Sequence, residues 1–370
     1  MFVSIFNIYS FNGKISPDQS IMEIKNQKCL YENISINSRK ILTTRKNDKE
    51  LYEIEPIVIY KKFSSKEIQK AFYEFFSNHP EIFWISNYFE YFYNPSENCT
   101  CLKIYSNVSL AELEIAEKRL QEKLNSILIK INFNSSDYEK ELFVHDWIVE
   151  NCTYYKEGNY KIFTSYGCLV DCKAVCEGYA KATQLILTEL GVRCRTVSGV
   201  AHKEPHMWNI VEIEGEYYHL DVTWDCGKND LTKYFYFNLS DELIKDDHML
   251  YPFINKIEDL ESLNYYNTYN LGEKPICNSY TYTYISKNSF PVNLFNKLNL
   301  LLNYISCREI FYIKLNKNQN ISNIENILFT NKSPLFLCLK QLGKDNITFK
   351  YIINETQNVV AIKLKNNNFA

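Results

Sequence analysis

Glycine and proline are scarce in this chain, 10 and 9 among 370 residues. That scarcity excludes long flexible or proline-rich linkers and favours a chain folded over most of its length. No apolar run reaches the roughly 18–20 residues that a membrane-spanning helix needs. An excess of charge of one sign is also missing. Forty-one Lys and Arg against 44 Asp and Glu give a net charge of −3, so nothing electrostatic favours nucleic acid or an anionic membrane as partner. The first residues, MFVSIFNIYSFNGK, are apolar but lack a basic leading region and a small-residue cleavage site. They read as a strand rather than an export signal, and the expected compartment is the cytoplasm. The 12 cysteines are then expected as reduced thiols, not as a disulfide framework.

What is present is ordinary for a soluble globular protein. Hydrophobic residues make up 46% and charged residues 23%, and the length suits two or three domains. The informative stretch runs from 165 to 225. Ala182, Leu185, Ile186 and Leu190 recur at helical spacing, and Gly191 closes the run as a cap. Cys176 falls in the first turn of that helix. Unpaired backbone N–H groups and the positive end of the helix dipole there favour the thiolate, the form that attacks carbonyls. Gly178 leaves room for a substrate backbone to approach.

A short strand follows at Cys194 to Val200, then a polar loop from His202 to Pro205. Two runs, His206 to Ile213 and Glu216 to Trp224, flank Glu214-Gly215, which marks a hairpin. With that turn, Trp208 faces Asp221 and His206 faces Thr223 across the ladder. His206 and Asp221 become diagonal neighbours on one face, roughly 7–8 Å apart at Cα. A register shift of one residue would put Asp221 on the other face. Thiol, imidazole and carboxylate in this arrangement suit nucleophilic acyl transfer.

These residues resemble the transglutaminase-like superfamily, in its bacterial branch. The resemblance rests on Ser165-Tyr166-Gly167, Val175-Cys176-Glu177-Gly178-Tyr179-Ala180, His206-Met207-Trp208-Asn209 and Asp221-Val222-Thr223-Trp224-Asp225. Tyr236-Phe237 and Ser240-Asp241 add to it. It is strong over about 140 to 250 and weak over 52 to 107. It implies an α+β, papain-like catalytic domain in which a helix presents a cysteine against an antiparallel sheet. The implied triad is Cys176, His206 and Asp221. Cys168 and Cys172 depart from the pattern, standing where a small residue and a turn glycine are expected.

For the oxyanion, the Cys176 backbone N–H is one donor. Tyr166, in the matched segment, is a candidate second donor or a core tyrosine. Trp208 is a candidate substrate wall or a core residue. Cys168, Cys172 and Cys176 are four apart, but no fourth ligand at a familiar spacing follows, so neither metal nor cofactor is expected.

Two small α+β units are expected to flank the catalytic domain, each in the order β-α-β-β-β. In the first, Ile57 to Tyr60 is a strand, Ser65 caps a helix from Lys66 to about Asn78, and strands follow at 81–86, 88–93 and 101–105. In the second, a strand at 309–315 and a helix at 321–329 are followed by strands at 335–339, 347–353 and 359–364. Between them, Ser109 with Glu112 and Ser136 with Glu139 are capping boxes that open two helices. The expected division is 1–51, 52–107, 108–270 and 271–370. The expected function is a cysteine acyl-transfer enzyme acting on peptide or protein amide bonds, a protease, amidase or transglutaminase. The alternative is a non-catalytic binding or scaffold module on the same fold. A peptide or protein is the expected partner in either case; oligomeric state is not readable.

Overall fold

The computed structural model describes residues 7–10, 34, 36–41, 47–226, 230–250, 275–316, 324–344 and 348–365. The chain divides into two compact units, one of Met1–Ile210 with Asp247–Pro275, the other of Val211–Asp246 with Ile276–Ala370.

In the first unit, β1 (Asn7–Ser10), β2 (Tyr52–Glu53) and β3 (Ile57–Ile59) precede α1 (Ser65–Asn78), and β4 (Ile85–Asn94) and β5 (Cys99–Ser106) follow it. β4 and β5 form an antiparallel hairpin; β2 and β3 pair with β5, and β1 runs parallel beside β4. The buried face of α1 carries Ile68, Phe72 and Phe75, and Phe72 stacks on Phe89 with ring centroids 4.0 Å apart. Its N-cap is Ser64, one residue before the expected Ser65. Ser64 and Glu67 form a capping box, with the Ser64 N–H donating to Glu67 Oε2 at 2.8 Å.

The two strands expected at 81–86 and 88–93 are one strand, Ile85–Asn94, with a register irregularity between Ile85 and Phe89. Ile82, Phe83 and Trp84 are buried without being strand, and the Trp84 indole donates to the Ser38 carbonyl at 2.8 Å. A short apolar run reports burial, not conformation. This segment is therefore β-α-β-β, one strand fewer than expected.

Both expected capping boxes open helices, Ser109 with Glu112 at α2 (Leu110–Leu128) and Ser136 with Glu139 at α3 (Asp137–Asn151). β6 (Thr153–Tyr154) pairs parallel with β7 (Lys173–Ala174), and α4 (Ser165–Leu169) lies between them in sequence. The expected cysteine helix is α5 (Cys176–Glu189). It ends in a Schellman turn. Gly191, at φ +78°, donates to Thr188, and Val192 donates to Leu187. β8 (Cys194–Ala201) leads through His202 and Lys203, both at positive φ, into β9 (Glu204–Ile213).

Past Ile210, β9 continues in the second unit. Glu214 (φ 50°) and Gly215 (φ 85°) make the expected two-residue turn into β10 (Glu216–Leu220). Two short helices follow, α6 (Val222–Asp225) and α7 (Asp241–Ile244). β11 (His248–Leu250), in the first unit, pairs antiparallel with β8. The second unit continues through α8 (Tyr284–Asn288), β12 (Ser289–Pro291), α9 (Leu298–Ser306), β13 (Ile310–Lys314), α10 (Ile324–Leu328), α11 (Pro334–Gln341), β14 (Thr348–Asn354) and β15 (Val359–Lys365). Its sheet order is β12-β13-β15-β14.

Residues 335–339, expected as a strand, are helical. Ser333 is the N-cap of α11 and Pro334 its first residue. Proline at that position starts a helix, because its missing N–H would have had no intrahelical partner. The same order of three strands recurs in both segments: the helix-preceding strand pairs with the last strand, which pairs with the middle one. The remaining strands differ: β1 runs parallel to β4 and β2 pairs with β5 in one segment, whereas β12 runs parallel to β13 in the other. The boundary expected at 270 lies outside the described residues. No helix among the described residues is long and apolar enough to cross a membrane.

The capping box at α1 predicts a pH-dependent cost. The backbone N–H of Ser64, and then its hydroxyl, hold the Glu67 carboxyl below its usual range. A depressed carboxylate stabilises the fold above its unfolded value, near 4.3, and that contribution is lost as pH falls through the folded value. Ser64→Ala should cost about 1 kcal/mol at neutral pH. Urea unfolding should show a smaller difference below the titration of Glu67.

Candidate active site

Cys176 is the first residue of α5 and is fully buried. Val175, the N-cap, offers no side-chain hydrogen bond to the helix. Cys176 thus lies in the first turn, at the positive end of the helix dipole.

That first turn can be buried only because two glycines let backbone approach backbone. A Cβ on Gly178 would lie 2.6 Å from the Ile162 carbonyl oxygen and 2.8 Å from the Ala174 Cβ. One on Gly167 would lie 2.1 Å from the Lys161 carbonyl oxygen. The space at Gly178 is therefore taken by the protein's own chain, not left for a substrate backbone. This corrects the sequence reading of that glycine. The Val175 N–H donates to Ile162 O at 3.0 Å, completing the seam.

Polar side chains anchor the rest of α5. Tyr179 Oη donates to the Cys152 carbonyl at 2.9 Å, at the end of α3. Gln184 Nε2 donates to Ser77 O at 2.8 Å, at the end of α1. Asn209 Nδ2, on β9, donates to Ala180 O at 2.9 Å. This last bond explains the asparagine of the His206-Met207-Trp208-Asn209 run. It fixes β9, and with it His206, relative to the cysteine helix.

His206 is buried on β9 with Trp208 two residues on, their rings 5.9 Å apart and nearly parallel. The buried Trp208 is a wall to this imidazole. Gly199 on β8 makes room for it, since a Cβ there would meet Trp208 Cη2 at 2.7 Å. The structure adds a residue that the sequence reading passed over. His248, on β11, sets its ring edge-on to His206 at 5.5 Å and to Trp208 at 5.1 Å. Its Nδ1 lies 2.5 Å from Asp247 Oδ1. No spacing motif marks His248, because only the β8–β11 pairing brings it there.

Tyr166 is 2% exposed, with its ring 4.7 Å from that of Phe83 and the Lys161 ammonium over it at 5.1 Å. These are core contacts. Cys172 has φ +55°, the left-handed conformation of the turn glycine that the family pattern expects at this place. Several other thiols are held protonated. Burial pushes Cys101 up to about 12 and Cys194 well above its usual value.

In the second unit, Asp221 is buried but is not a strand residue. β10 stops at Leu220, and Asp221 caps the helical turn Val222–Asp225. Its Oδ1 accepts from the Thr223 N–H at 3.0 Å and the Trp224 N–H at 3.2 Å. The expected ladder placing His206 opposite Thr223 is therefore absent, because residues 222–225 are helical. An aspartate that accepts from two successive N–H groups of its own turn is a strong N-cap, and this local bonding wins over strand propensity. The turn is clamped from the far side. The Asp221 N–H donates to Tyr236 O at 3.0 Å, Asp225 Oδ1 accepts from the Tyr236 N–H at 2.8 Å, and Trp224 packs edge-on to Tyr236 at 4.9 Å. The ring contact with Trp224 accounts for the aromatic residue at 236 in the matched pattern.

Residues 127–222 match the sequence model of the transglutaminase-like superfamily. This segment is thus similar to transglutaminase-like domains. The chain is also 25% identical over 172 residues to the kyphoscoliosis peptidase of Mus musculus, a match covering 40% of this chain and 26% of the relative. The chain thus spans about a quarter of the length of that relative. A solved structure described as a TGase aligns at 13% identity over 54% of this chain and 59% of its own, with a TM-score of 0.28. The match agrees with the α+β architecture around Cys176 that the resemblance implied.

Two stability changes follow. Gly178→Ala should destabilise by about 1–3 kcal/mol, because backbone carbonyls and not a movable side-chain tip meet the new methyl. Cys172→Gly should stabilise by about 0.5–1 kcal/mol, since the left-handed strain outweighs the entropy of glycine. Thermal denaturation of both variants checks the opposite signs.

Proposed function

We propose that the transglutaminase-like domain is a cysteine acyl-transfer enzyme acting on amide bonds of peptides or of protein glutamine side chains. Cys176 is the nucleophile, His206 the general base and Asp221 the group that orients the imidazole. The observation that carries this reading is the placement of Cys176 at the uncapped N-terminus of a buried helix, with Asn209 tying the His206 strand to the same helix. The two backbone bonds to Asp221 hold its carboxylate in one orientation.

In the proposed cycle, His206 takes the Cys176 thiol proton. The thiolate attacks the amide carbonyl, and the new C–S bond pushes the carbonyl electrons onto oxygen. The Cys176 backbone N–H faces that oxyanion. As the oxyanion collapses, the C–N bond breaks and the leaving amine takes the proton from His206. Water or a second amine then gives its proton to His206, attacks the thioester and releases an acid or a new amide. The thiolate recovers its proton. Both outcomes share the acyl-enzyme and differ only in the second nucleophile.

A second reading rests on one observation. Cys176 is 0% exposed and His206 1% exposed. A sulfur so enclosed suits a binding or scaffold module as well as an enzyme that opens on substrate.

Intact-mass measurement of the full chain with a peptide library, with and without a primary amine, separates these readings. The enzyme reading expects an acyl adduct lost in Cys176→Ala, and amine incorporation marks a transglutaminase. Turnover should fall by roughly 10⁴-fold or more in Cys176→Ala or His206→Ala. No adduct in the wild type would leave the scaffold reading.

A further inference from the structure

A second cluster of reactive side chains lies in the second unit, apart from the groups assigned above. His219, Asp241 and Cys277 bring one ligand atom each to within 4.8 Å of one another. They come from three segments: β10, the first residue of α7, and a stretch without regular structure before α8. His219 and Cys277 are buried, and the Asp241 side chain is 33% exposed.

The backbone holds all three in place. His219 and Leu239 exchange both main-chain hydrogen bonds at 2.8 Å. Asp241 and Cys277 are locked reciprocally. The Asp241 N–H donates to Cys277 O at 2.7 Å, and the Cys277 N–H donates to Asp241 Oδ2 at 3.1 Å. That second bond uses one carboxylate oxygen and turns the other, Oδ1, toward His219 Nε2 at 2.8 Å. The seam extends to the neighbouring residues, where Tyr218 Oη donates to Ser279 Oγ at 2.7 Å.

We propose that His219 Nε2, Asp241 Oδ1 and Cys277 Sγ form a site for one divalent transition-metal ion, zinc by the chemistry of its donors. Imidazole, carboxylate and thiolate are the three ligand types zinc takes. A thiolate and a carboxylate together balance the charge of the ion, so the buried site becomes neutral overall. The Cys277–Asp241 bond acts as the outer-shell contact that keeps the carboxylate monodentate. The partly exposed side of Asp241 leaves the fourth tetrahedral position to water.

Metal–ligand bonds of about 2.0–2.3 Å set ligand atoms roughly 3.3–3.7 Å apart. The imidazole and carboxylate must then part by about half an ångström as the thiol closes in. On binding, Cys277 releases its proton, and the imidazole carries its single proton on Nδ1. The ion would pin the loop at 276–279 to the edge of β10.

The test is Co²⁺ titration of the full chain, reduced and freed of metal by a chelator, read by absorbance. One Co²⁺ per chain, with a thiolate-to-cobalt charge-transfer band displaced by Zn²⁺, is the expected result. Cys277→Ser should lose that band, and Cys176→Ser should keep it. Asp241→Asn, which retains the thiol, should keep the band but bind more weakly and shift the visible ligand-field bands. Circular dichroism establishes that each variant is folded. Absence of the band in the wild type overturns the proposal. So does a band that persists in folded Cys277→Ser, or one lost in Cys176→Ser.

Discussion

A helix that begins inside a protein must have its first N–H groups answered by something, and at α5 no capping side chain is there to do so. The rest of the first unit is arranged around that buried end. Backbone from 161–164 comes close enough to seal it only because residues 167 and 178 lack a Cβ. Tyr179, Gln184 and Asn209 then fasten the helix body to α3, α1 and β9. Each fastening is a side-chain donor reaching a main-chain carbonyl, so each fixes position as well as satisfying a buried group. The Cys176 sulfur inherits its place from this scaffold.

The second unit solves a different problem at Asp221. A buried carboxylate is costly unless its charge is answered. Two successive amide groups of its own helical turn answer one oxygen, and Tyr236 closes over the turn from the opposite side. Trp224 and Asp225, which follow Asp221, are therefore chiefly a mounting. Trp208 has the same character in the first unit, filling the room made by Gly199 beside two imidazoles. Conformation at Cys172 follows a similar logic. The turn before the cysteine helix needs a left-handed residue, and the chain accepts a cysteine there at some cost in strain.

Much of this was legible in the order of residues. Ser109 with Glu112 and Ser136 with Glu139 announced two helices, and Gly191 announced the end of a third, because caps are local bonds between residues three or four apart. Glu214-Gly215 announced a hairpin because the turn's geometry belongs to those two residues alone. Apolar content reports burial and not conformation. Phe83 and Trp84 are buried but not strand, and Leu335 to Leu339 are helical behind Pro334, which starts the helix. At Asp221 the strand pattern was overruled by a cap that forms within three residues.

The sequence by itself determined the family pattern, the helix that carries Cys176 and the turns that deliver His206 and Asp221. These depend on short-range bonds and on motif residues whose spacing is fixed along the chain. Only tertiary structure decided that Gly178 serves chain packing and not substrate, that Asn209 ties a strand to a helix, and that His248 and the trio of His219, Asp241 and Cys277 gather where they do. Those outcomes arise from segments dozens of residues apart coming within a few ångströms. No local spacing encodes such an approach, because it is set by which surfaces bury one another once the elements have formed.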